Sequence, residues 1–414
     1  MSQPSHSQSL PRYAWFVAVA TLCLIGLGGM VTSKEAGMAV PDWPTSYGYN
    51  MFALPFSYWI GGIFFEHSHR LLGAFVGLLT TILAAWIWGR ETEGRVKWIG
   101  WLLIMVLVAM LGHRGSASSD GGPANVPAHL KVLAGIMPIL TLFGVVQCLQ
   151  TKGSVRWLAL TAFFAVIFQG LLGGFRVALF AEEIGVFHAA LAQAFLTLIC
   201  FIALRSSRWW QDLREDDWHE GFASFRGLFA FLTVLIFAQL ILGAVMRHQH
   251  AGLAVPDFPL AYGAAWPDTS PTALAAINAR RTDTFYDEPI TPFLIHLHMA
   301  HRVGAFLIFT LAAVMAWQAL NPRRKYSFLS KFALTWFGMI ALQALLGATT
   351  VWTKKAADIA TLHVVLGAGC LVVGSLVTVV AARVCPETLQ FELPATASPA
   401  TVTERHASPE ATTV

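Results

Sequence analysis

The chain is 414 residues long, 56% hydrophobic and only 12% charged, about half the charged share of a soluble globular protein. That balance excludes an ordinary soluble domain, and the small net charge of +4 gives no reason to expect a nucleic-acid partner. The apolar residues fall in blocks of about 20, the length one helix needs to cross a bilayer.

In chain order, a short polar lead (1–13) precedes the first block, 14–32. This block is long for the apolar core of a secretory signal, no small-residue cleavage site follows it, and the lead is not Arg-rich, so it reads as a retained helix. Further blocks cover 71–89, 130–149, 157–175 and 186–204, with a shorter one at 98–112. A charged stretch, 205–226 (RSSRWWQDLREDDWHEGFASFR), then makes a natural linker. Blocks 227–246, 303–320, 332–352 and 359–382 follow, and the tail 383–414, rich in Pro, Ala, Thr and Glu, reads as disordered. Backbone polar groups in hydrocarbon must be satisfied within their own segment, so the blocks are expected to be helices. The fold class is an all-α integral membrane protein of about ten transmembrane helices.

Lysine and arginine set the orientation. With a cytoplasmic amino terminus and ten crossings, fifteen Lys and Arg lie in cytoplasmic segments and eight on the opposite face. Both termini are therefore expected inside. All five cysteines (Cys23, Cys148, Cys200, Cys370 and Cys385) lie within or beside membrane blocks, so no external disulfide is expected.

The sequence repeats itself. AGMAVPDWPTSYG, at 36–48, returns as AGLAVPDFPLAYG at 251–263, with nine of thirteen letters identical. Leu27-Gly28-Gly29 returns as Leu242-Gly243-Ala244. EHSHRLLG (66–73) resembles HMAHRVGA (298–305), FQGLLGGFRV (168–177) resembles LQALLGATTV (342–351), and FHAALAQAF (187–195) resembles LHVVLGAGC (362–370). The order is the same in both parts, which predicts two homologous halves, 14–204 and 227–382. Each is a four-helix unit, and the first carries an inserted helical pair at about 92–150. An even number of helices makes the repeats parallel, related by an axis near the membrane normal.

The repeat also pairs histidines: His69 with His301, and His188 with His363. All four are expected near the outer ends of their helices, two per bundle, and facing helices of a bundle are where cofactors are held. Neutral imidazole is a common axial ligand of haem iron, and ionisable groups inside membrane helices point to function. All four are therefore candidate metal ligands, holding haem iron.

The combination of AGMAVPDWPTSYG, EHSHRLLG, HAALAQ, HMAHRVGA and LHVVLGA resembles the haem A synthase family of bacterial and mitochondrial inner membranes. The resemblance covers roughly 14–382, apart from the insertion. It implies two pseudo-symmetric four-helix bundles and the oxidation of a methyl group of haem O, through a hydroxymethyl intermediate, to the formyl group of haem A. It further implies a haem b cofactor in the second half with axial ligands His301 and His363. The substrate haem then belongs to the first half, with ligands His69 and His188, and Glu66 matches the family's glutamate. The implied partners are haem O, haem O synthase, an electron-transfer partner, the terminal oxidase under assembly and membrane lipid, with a homo-oligomer as one form. The implied location is the bacterial inner membrane.

Glu66 stands three residues before His69 and so shares its helix face, whereas His298 occupies that place in the second half. Only the first site thus has a carboxylate beside it, which suits proton uptake or stabilisation of positive charge. Arg70 and Arg302 are candidates for pairing with haem propionates, or for anchoring at the interface. The prolines around Asp42 and Asp257 predict two stiff external turns lying as lids over the two sites. Trp43 and Phe258 pack on porphyrin or sit in the interfacial belt. Relatives in the family often carry a cysteine pair in the first external loop, and this chain has none there. His113 and His129 of the insertion are further outer-face imidazoles. Competing functions are a di-haem b-type cytochrome exchanging electrons with quinone, a secondary transporter and a non-catalytic assembly factor.

Overall fold

The computed structural model describes residues 8–98, 155–181, 183–213, 219–281, 289–320 and 327–384, with a few isolated positions between 100 and 146. The blocks 98–112 and 130–149, apart from those positions, and His113, His129, Cys148, Cys385 and the tail lie outside the described residues.

Eight long helices carry the described fold: α1 (Ser9–Ser33), α2 (Gly61–Glu91), α3 (Val155–Ala178), α4 (Glu183–Arg205), α5 (His219–His248), α6 (Pro292–Ala319), α7 (Ser327–Trp352) and α8 (Ala357–Val384). All eight are long and apolar enough to span a membrane. The shortest has 23 residues, which at about 1.5 Å per residue exceeds a hydrocarbon core of roughly 30 Å. The chain is a multi-pass, all-α membrane protein.

The helices pack as two rings. In the first, α1 touches α2, α2 touches α3, α3 touches α4 and α4 closes on α1; in the second, α5, α6, α7 and α8 repeat that order. The rings meet through α1 on α8, α4 on α5 and α4 on α8. Exchanging the two rings maps this set of contacts onto itself. Small residues permit the close approach of α1 and α8: a Cβ on Gly29 would stand 3.0 Å from Thr361, and one on Gly26 3.3 Å from Val365, the packing device of membrane helices. Arg247, at the end of α5, ties the rings together by donating to the Gly29 carbonyl and to Ser33 of α1. Each ring has its own apolar core, around Leu83, Phe163 and Ile199 in the first and around Phe229, Met315 and Trp336 in the second. Cys23, Cys200 and Cys370 are free thiols.

Glu91, the last residue of α2, accepts a 2.9 Å hydrogen bond from the backbone N–H of Arg156 at the start of α3. The chain between these two helices therefore begins and ends at the same face.

Candidate functional site

The lids are built alike. α1 ends in the left-handed residue Glu35 (φ 54°) and α5 in His250 (φ 53°), the usual stop for a helix. Asp42 then accepts from Thr45 Oγ1 (2.5 Å) and from the N–H groups of Tyr47 (2.6 Å) and Gly48 (2.8 Å). Asp257 accepts from the N–H groups of Tyr262 (2.7 Å) and Gly263 (2.9 Å). The hydroxyls of Tyr47 and Tyr262 each donate back across their loop, to Ala39 O and Ala254 O, both at 2.6 Å. Gly48 (φ 76°) and Gly263 (φ 77°) supply the turn that a side chain would resist. The peptides Trp43–Pro44 and Phe258–Pro259 are both cis.

An arginine from the second helix of each ring holds its lid from below. Arg70 donates to the carbonyls of Val40 (2.7 Å), Asp42 (2.6 Å) and Thr45 (3.1 Å), and Arg302 to those of Val255 (3.1 Å), Asp257 (2.6 Å) and Leu260 (2.9 Å). These are repeat-related acceptors. The fourth Nη hydrogen of Arg70 goes to Glu66 Oε1 at 2.6 Å. A propionate contact from Arg70 is thus left with Nε alone.

Glu66 is 4% exposed. Its Oε1 takes the Arg70 ion pair and its Oε2 the Val40 N–H at 2.7 Å. In the second ring His298 Nδ1 lies 3.1 Å from Ala251 O. The same helix position therefore tethers the lid in both halves, by an acceptor in one and a donor in the other. Burial raises the Asp42 carboxyl, but the Gly48 N–H, the Thr45 hydroxyl, the Tyr47 N–H and the Arg70 charge outweigh it and hold its pKa below the ordinary carboxylate value. Asp257 is held low in the same sense, burial again being outweighed by the backbone N–H groups of Gly263 and Tyr262.

Beneath the lids lies a cavity of about 1490 Å³ lined by both rings, larger than the roughly 300–1,000 Å³ of an ordinary single-ligand pocket. His69, His188, His301 and His363 all line it, each in the second or third turn of its helix. Each pair comes from diagonally opposite helices of its ring. Each imidazole also lies against a glycine of the neighbouring helix: a Cβ on Gly28 would stand 2.9 Å from His69 Cε1, on Gly243 3.1 Å from His301, on Gly347 3.1 Å from His363 and on Gly173 3.6 Å from His188. Gly28 and Gly243 are repeat-related, as are Gly173 and Gly347.

The ring centroids of His301 and His363 are 6.5 Å apart, with planes at 69°. The two rings thus stand close together across the cavity, each from a different helix. His363 Nδ1 lies 3.0 Å from Gln343 O and His301 Nδ1 3.1 Å from Gln239 Nε2, which also donates to His301 O at 2.7 Å. The Gln343 carbonyl is an acceptor of the kind that orients a ligating ring, whereas Gln239 offers His301 a donor. The Nδ1 atoms of His69 and His188 are buried without a close hydrogen-bond partner, although the backbones of Leu24 and Gln169 lie near enough to act on the two rings. No cluster of three or more His, Cys, Asp or Glu suited to a bare metal ion occurs among the described residues. Paired imidazoles suit an iron that brings its own porphyrin nitrogens.

The family profile described as "Cytochrome oxidase assembly protein" (COX15-CtaA) matches residues 129–375, more than half of the chain. The chain belongs to this family. Its relatives in the family include the heme A synthase of Alkalihalophilus pseudofirmus, 22% identical over 365 residues that make up 86% of this chain and 92% of that protein. That of Lysinibacillus sphaericus is 24% identical over 359 residues, covering 85% and 89%. That of a Ruegeria species is 25% identical over 361 residues, covering 84% and 82%.

Several residues of the site carry no mark of their role in the sequence. The seat glycines appear there only as members of repeated LGG and LLGG strings. Trp43 rests on Gly174 of α3, where a Cβ would lie 2.7 Å from its ring, and Phe258 packs edge-on against Trp352, centroids 6.0 Å apart. Both aromatics line the cavity. His67, beside His69, is fully buried and lies 3.2 Å from Ser46 Oγ of the first lid.

Proposed function

We propose that the chain is a haem A synthase that binds haem O in the first ring and haem b in the second. The observation that carries this reading is the set of two histidine pairs, each ring seated on a glycine, inside one cavity beneath two lids. His301 and His363 are the haem b ligands and His69 and His188 the substrate-haem ligands. Glu66 stands beside the first pair alone, with His298 in its place in the second half, and this difference supports the division.

When bound, haem b supplies one-electron redox chemistry. The chain's own residues do the rest. The lids, locked by Asp42 and Asp257 and held by Arg70 and Arg302, cover the cavity and keep water from it. Glu66 is the carboxylate of the first site alone, and its role is to take up a proton or balance cationic charge as the methyl group is oxidised through hydroxymethyl to formyl. Its Arg70 and Val40 contacts keep it in place for that task. Both termini are cytoplasmic, the sites lie near the outer leaflet of a bacterial inner membrane, and the product passes to terminal oxidase assembly. Haem O synthase and an electron-transfer protein are the expected partners.

Glu66→Gln tests the assignment because it keeps the shape and removes the charge. It should leave the haem b spectrum intact and stop the reaction at haem O or the hydroxymethyl stage, with His298→Gln retaining most turnover. Haem A production by Glu66→Gln at the wild-type rate would make the glutamate a lid tether and nothing more.

A further inference from the structure

Arg176 stands in the last turn of α3 and lines the cavity with His69 and His188. Its Nη2 and Nη1 lie 2.6 and 2.8 Å from the place a Cβ on Gly37 would occupy, so the first lid accommodates the guanidinium only because that residue is glycine. Arg176 Nε is buried and has no hydrogen-bond partner. No described residue gives the side chain a hydrogen bond or an ion pair. His69, His188 and His248 lie within reach of its charge, and none of them is an anion. The side chain is half-buried, and guanidinium is shaped to take a carboxylate through two parallel N–H donors.

The second ring brings a basic side chain to the equivalent glycine by another route. The repeat counterpart of Arg176 is Thr350, whose hydroxyl is spent on Leu346 O at 2.8 Å. The counterpart of Gly37 is Gly252, and there the stem of Lys355 lies over the lid, its Cδ 3.4 Å from a Cβ position on that glycine. Lys355 also lines the cavity. Each lid thus has a basic side chain over the same glycine although the repeat does not align the two bases. What recurs is a basic side chain laid over that glycine in each site.

We propose that Arg176 binds a propionate carboxylate of the tetrapyrrole held by His69 and His188. The inference rests on the reading of the first ring as a haem site. It moves propionate recognition from Arg70, whose Nη hydrogens are engaged with the lid and Glu66, to a guanidinium with donors to give.

The test uses full-length protein already holding its haem b, titrated in detergent with haem O and, separately, with haem O dimethyl ester, uptake being followed by difference spectrum. Arg176→Gln should bind haem O about tenfold more weakly than wild type, the loss expected for one charge-assisted contact. It should bind the diester as wild type does, and Arg176→Lys should fall between. Without added haem O, Arg176→Gln should melt no lower than wild type, because the guanidinium has no hydrogen bond or ion pair among the described residues to lose. Equal haem O affinity in Arg176→Gln and wild type would overturn the proposal. So would a variant that melts lower and loses affinity for acid and ester alike, since that is the behaviour of a packing residue. If wild type takes up no haem O, or if His69→Ala leaves uptake unchanged, the haem-site reading itself fails and this assignment with it.

Discussion

Gly28 of α1 lies so close to His69 of α2 that a methyl group on the glycine would stand 2.9 Å from the imidazole. The other three pairs are looser, at 3.1 Å for Gly243–His301 and Gly347–His363 and 3.6 Å for Gly173–His188. Overpacking a filled site costs about 1–3 kcal/mol, whereas alanine in place of a helical glycine gains up to about 1 kcal/mol where there is room. Gly28→Ala should therefore displace His69 and weaken haem uptake by the first ring while the haem b spectrum stays unchanged. Gly243→Ala and Gly347→Ala should shift the low-spin haem b spectrum without abolishing it, and Gly173→Ala should be neutral or slightly stabilising. Haem occupancy and thermal melting of the four variants give the order directly; a Gly173→Ala defect larger than that of Gly28→Ala would contradict it.

The lids should open in acid. The folded-state pKa of Asp42 is lowered, with Asp257 lowered likewise. Their contribution to lid stability is therefore present above the unfolded value, near 3.9, and is lost as pH falls through the folded value. Hydrogen exchange at the Tyr47 and Gly48 amides should stay slow down to about pH 4 and quicken below it. Asp42→Asn, with one carbonyl oxygen where the carboxylate has two, should exchange faster at neutral pH and show little further change with acid. Protection in Asp42→Asn equal to wild type at pH 7 would show that the carboxylate does not lock the loop.

Hydropathy located all eight long helices, because hydrocarbon selects for apolar runs, but it placed several starts late, two of them by about ten residues. Block 71–89 lies within a helix that begins at Gly61, and block 303–320 within one that begins at Pro292. The missing turns hold Glu66, His67, His298 and His301, polar residues that face the cavity or a lid instead of lipid. The histidine pairs were legible because duplication displayed them twice, and their partition between substrate and cofactor came from family resemblance. The work of Arg70 and Arg302 was not legible, since their acceptors are backbone carbonyls that no residue type announces. The glycine seats were hidden for a related reason: each serves a side chain on another helix. Arg176 gave no signal because its repeat counterpart is a threonine.

The proposed membrane sidedness rests on the lysine and arginine distribution. Single cysteines placed in the loops 34–60 and 249–291 should label from the outer face of intact cells, and cysteines in 205–226 should label only after permeabilisation. Labelling of 205–226 from outside would invert the topology.

The central claim is that one ring holds a resident haem b and the other a haem undergoing oxidation. The most direct measurement is the pigment of the purified protein made in cells that supply haem O, identified by mass and by pyridine haemochrome spectrum in wild type, His301→Ala and His69→Ala. Wild type should contain haem b together with haem O, its hydroxymethyl derivative or haem A. His301→Ala should lose the haem b, and His69→Ala should keep the haem b and lose the other pigments. Haem b alone in wild-type protein from such cells, at both sites, would contradict the account and leave a di-haem b cytochrome in its place.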